Sequence, residues 1–336
     1  MSVSMVFGLL GGLALFLYGM QMMSVNLEAA AGSRMKHILE RLTANRFLGV
    51  CVGAGITAVI QSSSATTVMV VGFVNSGLMT LKQAVWIIMG ANIGTTVTGQ
   101  LIALDIGELA PFITFVGVAL ILFVKRKHVQ FAGGIIAGLG ILFIGMGMMG
   151  EAMVPLRESE VFVNLMTRFS NPLLGILAGA AFTAIIQSSS ASVGILQALA
   201  VSGLIGLDSA VFVLFGQNIG TCITAALASI GASRDAKRAT LIHLLFNVIG
   251  TAVFTAVCII WPLTGLVGDL TPANPAAQIA NMHTLFNIVT TLLLLPFGSQ
   301  LACLAGSFCR IRLWERRRRN AGSRICWSQS MCWGYR

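Results

Sequence analysis

Two runs of four polar residues, Gln61-Ser62-Ser63-Ser64 and Gln187-Ser188-Ser189-Ser190, interrupt long apolar stretches of the chain. Hydroxyls and amides can donate to an oxyanion, and their oxygens can coordinate a hard cation. Thr66, Thr67 and Ser192 extend this polar surface by one turn. Downstream of each run comes a Gly-x-Asn-Ile-Gly-Thr segment, Gly90 to Thr95 and Gly216 to Thr221. In a helix, Asn92 with Thr95 and Thr96, and Asn218 with Thr221, share one face at spacings of three and four. No Lys, Arg, Asp or Glu occurs between positions 47 and 80 or between 171 and 207. An anion held there must therefore be met by hydroxyls, free backbone N–H groups and the positive ends of half-helices. An unpaired buried charge costs on the order of tens of kcal/mol in the idealised limit. A co-bound alkali cation, Na⁺, is the natural partner, because every side-chain ligand on offer is a hard oxygen donor.

Both constellations belong to one internal repeat. Sliding the chain against itself by 126 residues aligns Gly53–Thr98 with Gly179–Thr224 without a gap, and 22 of the 46 positions are identical. The same offset pairs Gly19-Met-Gln-Met-Met23 with Gly145-Met-Gly-Met-Met149. Each half reads as a span, a hairpin and two more spans.

The elements that carry the repeat are set by composition. Of 336 residues, 56% are apolar and only 10% charged, against about 25% charged in soluble domains. Mean hydropathy is +0.89. A span needs about 20 apolar residues, and seven runs with charge only outside them or at their ends fit: 4–27, 83–104, 109–124, 130–150, 208–230, 239–261 and 282–308. The first is expected to stay as a span rather than be cleaved as a signal peptide. The stretches 47–79 and 173–205 are broken mid-way by the Gln-Ser-Ser-Ser runs, leaving arms of about 21 Å at 1.5 Å per residue. These arms are short of a hydrocarbon core of about 30 Å, so re-entrant hairpins are expected, with the polar break lining a wet or protein-lined cavity.

Three crossings per half is an odd number, so the second half enters the membrane from the opposite side. The basic residues agree. With non-crossing hairpins, 19 of the 21 Lys and Arg fall on one side, leaving Arg157 and Arg168 on the other. The positive-inside rule then puts the amino terminus outside and the carboxyl terminus in the cytoplasm. The formal charge of +10 is a topology signal, and nucleic acid is not expected as a partner, because binding it needs a basic face on a water-soluble surface. The expected fold class is an all-α polytopic membrane protein with two inverted-topology repeats, 1–128 and 129–261. A final transmembrane helix at 262–309 and a basic tail at 310–336 follow.

Other residues have plainer readings. His243-Leu-Leu-Phe-Asn247 and His283-Thr-Leu-Phe-Asn287 echo each other 40 residues apart. They could line the pathway, but hydrogen bonding between helices is the expected role. The Gly90 to Gly94 spacing suits close packing or unwinding equally. The seven cysteines have no metal spacing and read mostly as small core hydrophobes. An intramembrane serine hydrolase pairing Ser63 or Ser189 with His243 or His283 is weighed down by the lack of any histidine pair at the 126 offset.

The doubled Gln-Ser-Ser-Ser-Ala with the doubled Gly-x-Asn-Ile-Gly-Thr resembles the type II sodium-dependent phosphate cotransporter family in its bacterial branch, over about residues 5 to 308. The resemblance implies Na⁺-coupled movement of inorganic phosphate in a bacterial inner membrane, with no cofactor beyond the coupling ion. Phosphate would sit on Gln61, Ser62, Ser63, Ser64, Gln187, Ser188, Ser189 and Ser190. Sodium would sit on Asn92, Thr95, Thr96, Asn218, Thr221, Thr66 and Ser192. An elevator-like movement, often within a homodimer, is also implied. Many relatives continue into a cytoplasmic regulatory domain before which this chain stops, and 320–336 lacks periodicity. Transport of another oxyanion, or phosphate efflux, fits the same residues.

Overall fold

A computed structural model of the chain describes residues 3–31, 45–104 and 106–307. The basic tail expected over 310–336 lies outside them. The regular elements among the described residues are helices. In chain order they are α1 (Val3–Ala31), α2 (Arg46–Ile60), α3 (Ser63–Asn75), α4 (Leu81–Ile102), α5 (Ala110–Phe123), α6 (Lys127–Met153), α7 (Glu160–Thr167) and α8 (Pro172–Ile186). There follow α9 (Ser189–Val201), α10 (Leu207–Gly220), α11 (Cys222–Ala228), α12 (Arg234–Ile260), α13 (Leu263–Leu270), α14 (Pro275–Leu294) and α15 (Gly298–Ser307). Five helical segments among the described residues are long and apolar enough to cross a membrane, six if the bent pair α14–α15 counts as one. The protein is a helical, multi-pass membrane protein.

Glycines decide which helices pair. A Cβ on Gly53 would strike Ile87 O, one on Gly90 would strike Val50 O, and one on Gly94 would strike Ala54 O, so α2 lies backbone to backbone on α4. In the second half Gly179 meets Val213 O, Gly216 meets Ile176 O and Gly220 meets Ala180 O, which puts α8 on α10 in the same register. Small residues permit this approach where lipid tails supply no hydrophobic drive between helices. The α1–α6 seam is built likewise. Gly12 faces Gly145 and Gly19 faces Gly138, so the pairs run in opposite chain directions. Positions 12 and 138, and 19 and 145, are each 126 apart, so each repeat-equivalent glycine meets the other's partner.

Around the pairs α2–α4 and α8–α10, helices α12 and α14 each pack on both α4 and α10, while α5 packs on α6. The Phe215, Phe254 and Phe286 rings fill the seam where α10, α12 and α14 meet, with centroids 5.0 to 5.8 Å apart.

The structure departs from the sequence reading at four places. The closing helix expected over 262–309 is three elements, and the run 282–308 is bent by 82° between α14 and α15, where Leu295-Pro296-Phe297 intervenes and Pro296 cannot continue the hydrogen-bond ladder. Helix α5 has 14 residues, about 21 Å, no longer than a hairpin arm. The run 208–230 is interrupted at Thr221, between α10 and α11. Of the four cysteines among the described residues, Cys222 is buried, Cys258 is half-buried, and Cys51 and Cys303 are exposed.

Candidate functional site

The two hairpin tips are built alike. Helices α2 and α8 end at Gln61 and Gln187, each with φ of 59°, and these are the positive-φ residues other than glycine among the described residues. A left-handed glutamine costs about 1 kcal/mol or more, so two at equivalent positions mark a shape the site requires. The turn reverses the chain, and Ser62 and Ser188 then cap α3 and α9, accepting from Ala65 N at 3.1 Å and Ala191 N at 3.2 Å. A helix start has four orphan N–H groups. Here they are those of Ser62–Ala65 and Ser188–Ala191; the cap serves the last of each four, and the first intrahelical bonds follow at Thr66 N to Ser62 O and Ser192 N to Ser188 O. The N–H groups of Ser63, Ser64, Ser189 and Ser190 are left for a ligand.

These two helix starts converge. Ser63 Oγ lies 3.4 Å from Ser189 Oγ, both buried, and the two serines are 126 residues apart. Ser190 Oγ reaches Gln61 O at 3.4 Å and Thr98 Oγ1 at 3.5 Å. Thr98 Oγ1 donates to Gln61 Oε1 at 2.7 Å, and Gln61 Nε2 donates to Ala58 O. Across the first hairpin Thr57 Oγ1 donates to Thr66 Oγ1 at 2.9 Å. Hydroxyls and free N–H groups thus meet within stretches, 47–80 and 171–207, that carry no charged side chain, an arrangement suited to an oxyanion.

The Asn-Ile-Gly-Thr segments are helical at their asparagines. Asn92 Nδ2 donates to Ile88 O at 2.8 Å and Asn218 Nδ2 to Leu214 O at 3.0 Å. Each Oδ1 meets a histidine of another helix, Asn92 with His243 at 3.4 Å and Asn218 with His283 at 3.1 Å. Among the described residues neither asparagine bonds to a tip serine. Thr66, Thr96, Thr221 and Ser192 donate back to their own helices, to Ser62 O, Ile93 O, Gln217 O and Ser188 O, so their oxygens remain acceptors. Thr95 Oγ1 is buried without a partner.

A sequence model of the family described as Na+/Pi-cotransporter matches residues 15–151 and 153–267. The chain belongs to the Na+/Pi-cotransporter family. Within the curated proteins this family member is 34% identical over 282 residues to "Uncharacterized protein YqeW" of Bacillus subtilis, covering 84% of this chain and 91% of that one. It is 30% identical over 304 residues to "Putative inorganic phosphate export protein YjbB" of Escherichia coli, covering 90% of this chain and 54% of the relative, so it spans about half of that protein. A stretch of 107 residues, 31% of this chain and 16% of the relative, is 36% identical to "Sodium-dependent phosphate transport protein 2B" of Homo sapiens. No solved structure matches the chain.

In this Na+/Pi-cotransporter family member the repeat-equivalent tips are not in equivalent states. Gln61 is buried with both its amide nitrogen and its amide oxygen hydrogen-bonded, whereas Gln187 is exposed, and Thr224 Oγ1, the equivalent of Thr98, donates instead to Thr221 O at 3.0 Å. The first hairpin is also held by Ser24 Oγ donating to Ile60 O at 2.6 Å, and the residue equivalent to Ser24 is Gly150, which has no hydroxyl. In a chain whose own cysteines are replaced, Gln187→Cys should therefore react with a water-soluble maleimide at least about tenfold faster than Gln61→Cys. Equal labelling rates would mean that the asymmetry is not present in the membrane.

Sequence reasoning missed Thr98, although it is the last identical position of the repeat, and missed Thr57, equivalent to Thr183. Their partners became visible only once the hairpin folded back on α4.

Proposed function

We propose that the chain carries inorganic phosphate together with Na⁺ by alternating access, with the anion held between the two Gln-Ser-Ser-Ser tips. The observation that carries this reading is the approach of Ser63 and Ser189 at 3.4 Å. They are equivalent residues of two hairpins, each at a capped helix start with two free N–H groups. Gln61 to Ser64 and Gln187 to Ser190 would bind phosphate. Asn92, Thr95, Thr96, Asn218, Thr221, Thr66 and Ser192 would supply oxygens to sodium, which neutralises an anion held where neither 47–80 nor 171–207 contributes a Lys or Arg.

The antiparallel α1–α6 seam, with its exchanged glycine pairs, supports the inverted relation of the repeats, 1–128 and 129–261. In that geometry the conformation of one repeat is the template for the other in the opposite-facing state. Helix α6 packs on both α1 and α5, and the three are suited to act as the scaffold against which the hairpin-bearing body moves. The multi-pass chain would lie in the bacterial inner membrane with its amino terminus outside. The name of YjbB speaks of phosphate export and that of transport protein 2B of sodium-dependent phosphate transport. A symporter of this kind runs whichever way the summed gradients point.

Purified protein in proteoliposomes, with the potential clamped, should take up ³²P-phosphate at least about tenfold faster with an inward sodium gradient than with sodium equal on both sides. Phosphate flux indifferent to sodium would remove the coupling. Equal competition by sulfate and phosphate would move the reading to a broader oxyanion carrier.

A further inference from the structure

Two buried histidines touch the asparagines of the Asn-Ile-Gly-Thr segments. His243 on α12 is 0% exposed and His283 on α14 is 2% exposed. Their Nε2 atoms meet Asn92 Oδ1 and Asn218 Oδ1, the two equivalent positions of the repeat. The histidines themselves are 40 residues apart and have no counterpart at the repeat offset. The same contact is therefore made twice, from helices that reach it by different routes along the chain. Both Nδ1 atoms are buried without a partner, and four residues on, Asn247 and Asn287 each return Nδ2 to the carbonyl of that histidine, at 3.1 and 3.0 Å.

The amide orientation fixes the chemistry. Because Asn92 Nδ2 points to Ile88 O and Asn218 Nδ2 to Leu214 O, the atom facing each imidazole is the oxygen, an acceptor, so Nε2 must carry the proton and donate. Each imidazole is then the Nε2–H tautomer. The asparagine amide is pinned at both ends, with Nδ2 on its own helix and one Oδ1 lone pair on the histidine. The second lone pair is left in a fixed direction. A dehydrated alkali cation gains from oxygens already aimed at it, since no reorganisation is needed on binding.

We propose that His243 and His283 are the positioning residues of the two cation sites, each orienting the asparagine, Asn92 or Asn218, that supplies an oxygen to sodium. The proposal rests on the reading of those asparagines as sodium ligands. It differs from a packing role, in which the imidazole would serve only to join two helices. It also differs from a role in phosphate contact, because neither histidine hydrogen-bonds a tip serine among the described residues.

The test uses His243→Leu and His283→Leu beside His243→Gln and His283→Gln, in the full chain in proteoliposomes, with initial ³²P uptake read against sodium at saturating phosphate. Glutamine can present an N–H at about the reach of Nε2, whereas leucine fills the space and donates nothing. Each leucine variant should raise the half-saturating sodium concentration by about tenfold, the scale set by one buried hydrogen bond, with the maximal rate changed by less than about threefold. Glutamine should restore the sodium response to within about threefold of the native chain. If a leucine variant is not monodisperse in detergent, His→Asn, too short to reach the amide, takes its place. Sodium-dependent shift of the melting temperature in detergent gives a readout that needs no transport. Lower maximal rates with an unmoved sodium response, and glutamine no better than leucine, would overturn the proposal. Asn92→Ala and Asn218→Ala separate the two levels. If these weaken sodium while the histidine variants do not, only the positioning role fails. If neither set changes the sodium response, the sodium-ligand reading fails with it.

Discussion

Replacing Ser63 and Ser189 together with alanine should reduce sodium-driven phosphate uptake at sub-saturating phosphate by at least about a hundredfold. Both hydroxyls are buried at the point where the tips converge, 3.4 Å apart, so both can donate to one tetrahedral anion. A hydrogen bond to a charged group is worth about 1.5–3 kcal/mol, which is about ten- to a hundredfold for each serine. No cationic side chain occurs between positions 47 and 80 or between 171 and 207 to take over the anion. Each single variant should lose about tenfold. The capping serines Ser62 and Ser188 are untouched, so the helix starts and their free N–H groups stay in place, and both variants should elute from size-exclusion as the native chain does. Uptake as fast in the double variant as in the native chain would remove the anion from between the tips. A loss confined to the maximal rate, with unchanged phosphate dependence, would point to tip closure rather than tip binding.

Much of this was legible because the repeat carries geometry as well as identity. Gly53, Gly90 and Gly94 recur at the 126 offset, and in both halves they strike carbonyls that are themselves 126 apart. A reader of the sequence could infer one helix pair from the other. The break at Gln61 and Gln187 was visible as a polar interruption of an apolar run. Its left-handed form was not, since nothing in the residue type of glutamine demands positive φ. The Gly90 to Gly94 spacing, open to packing or unwinding, proves to be packing, with α4 helical through both positions.

What stayed hidden depends on neighbours that sequence spacing does not specify. The asparagines were legible as polar points on a helix face, yet their histidine partners come from α12 and α14, 151 and 65 residues away. Membrane helices are apolar on all sides, so hydropathy does not tell a face packed on protein from one turned to lipid. The cysteines were read mostly as small core hydrophobes, yet Cys51 is exposed while the adjacent Val52 is buried. The 82° bend after Leu294 was masked by apolar residues on both sides of Pro296, where hydropathy continues though the backbone ladder does not.

The glycine seams make the second large prediction. Alanine in place of Gly90 or Gly216 should lower the melting temperature of the detergent-solubilised protein by several degrees, and the double variant should yield almost no monodisperse protein. The added Cβ at these positions would collide with Val50 O and Ile176 O. Those are backbone atoms of α2 and α8, which cannot turn aside as a side chain could, so relief requires the helices to part. Overpacking of this kind costs about 1–3 kcal/mol per site. Glycine to alanine in an open helix position has the opposite sign, because alanine is the better helix former by about 1 kcal/mol. Gly55 and Gly72 provide that control on α2 and α3, since nothing lies within 4 Å of a Cβ at either. Gly55→Ala and Gly72→Ala should therefore melt at or slightly above the native temperature. The site would register the wedge as well. Separating α2 from α4 stretches the Thr98 to Gln61 hydrogen bond of 2.7 Å, so Gly90→Ala should make Gln61→Cys reactive toward maleimide where the native seam protects it. If Gly90→Ala melts with Gly55→Ala, the close approach of α2 and α4 is not what holds the first hairpin in place.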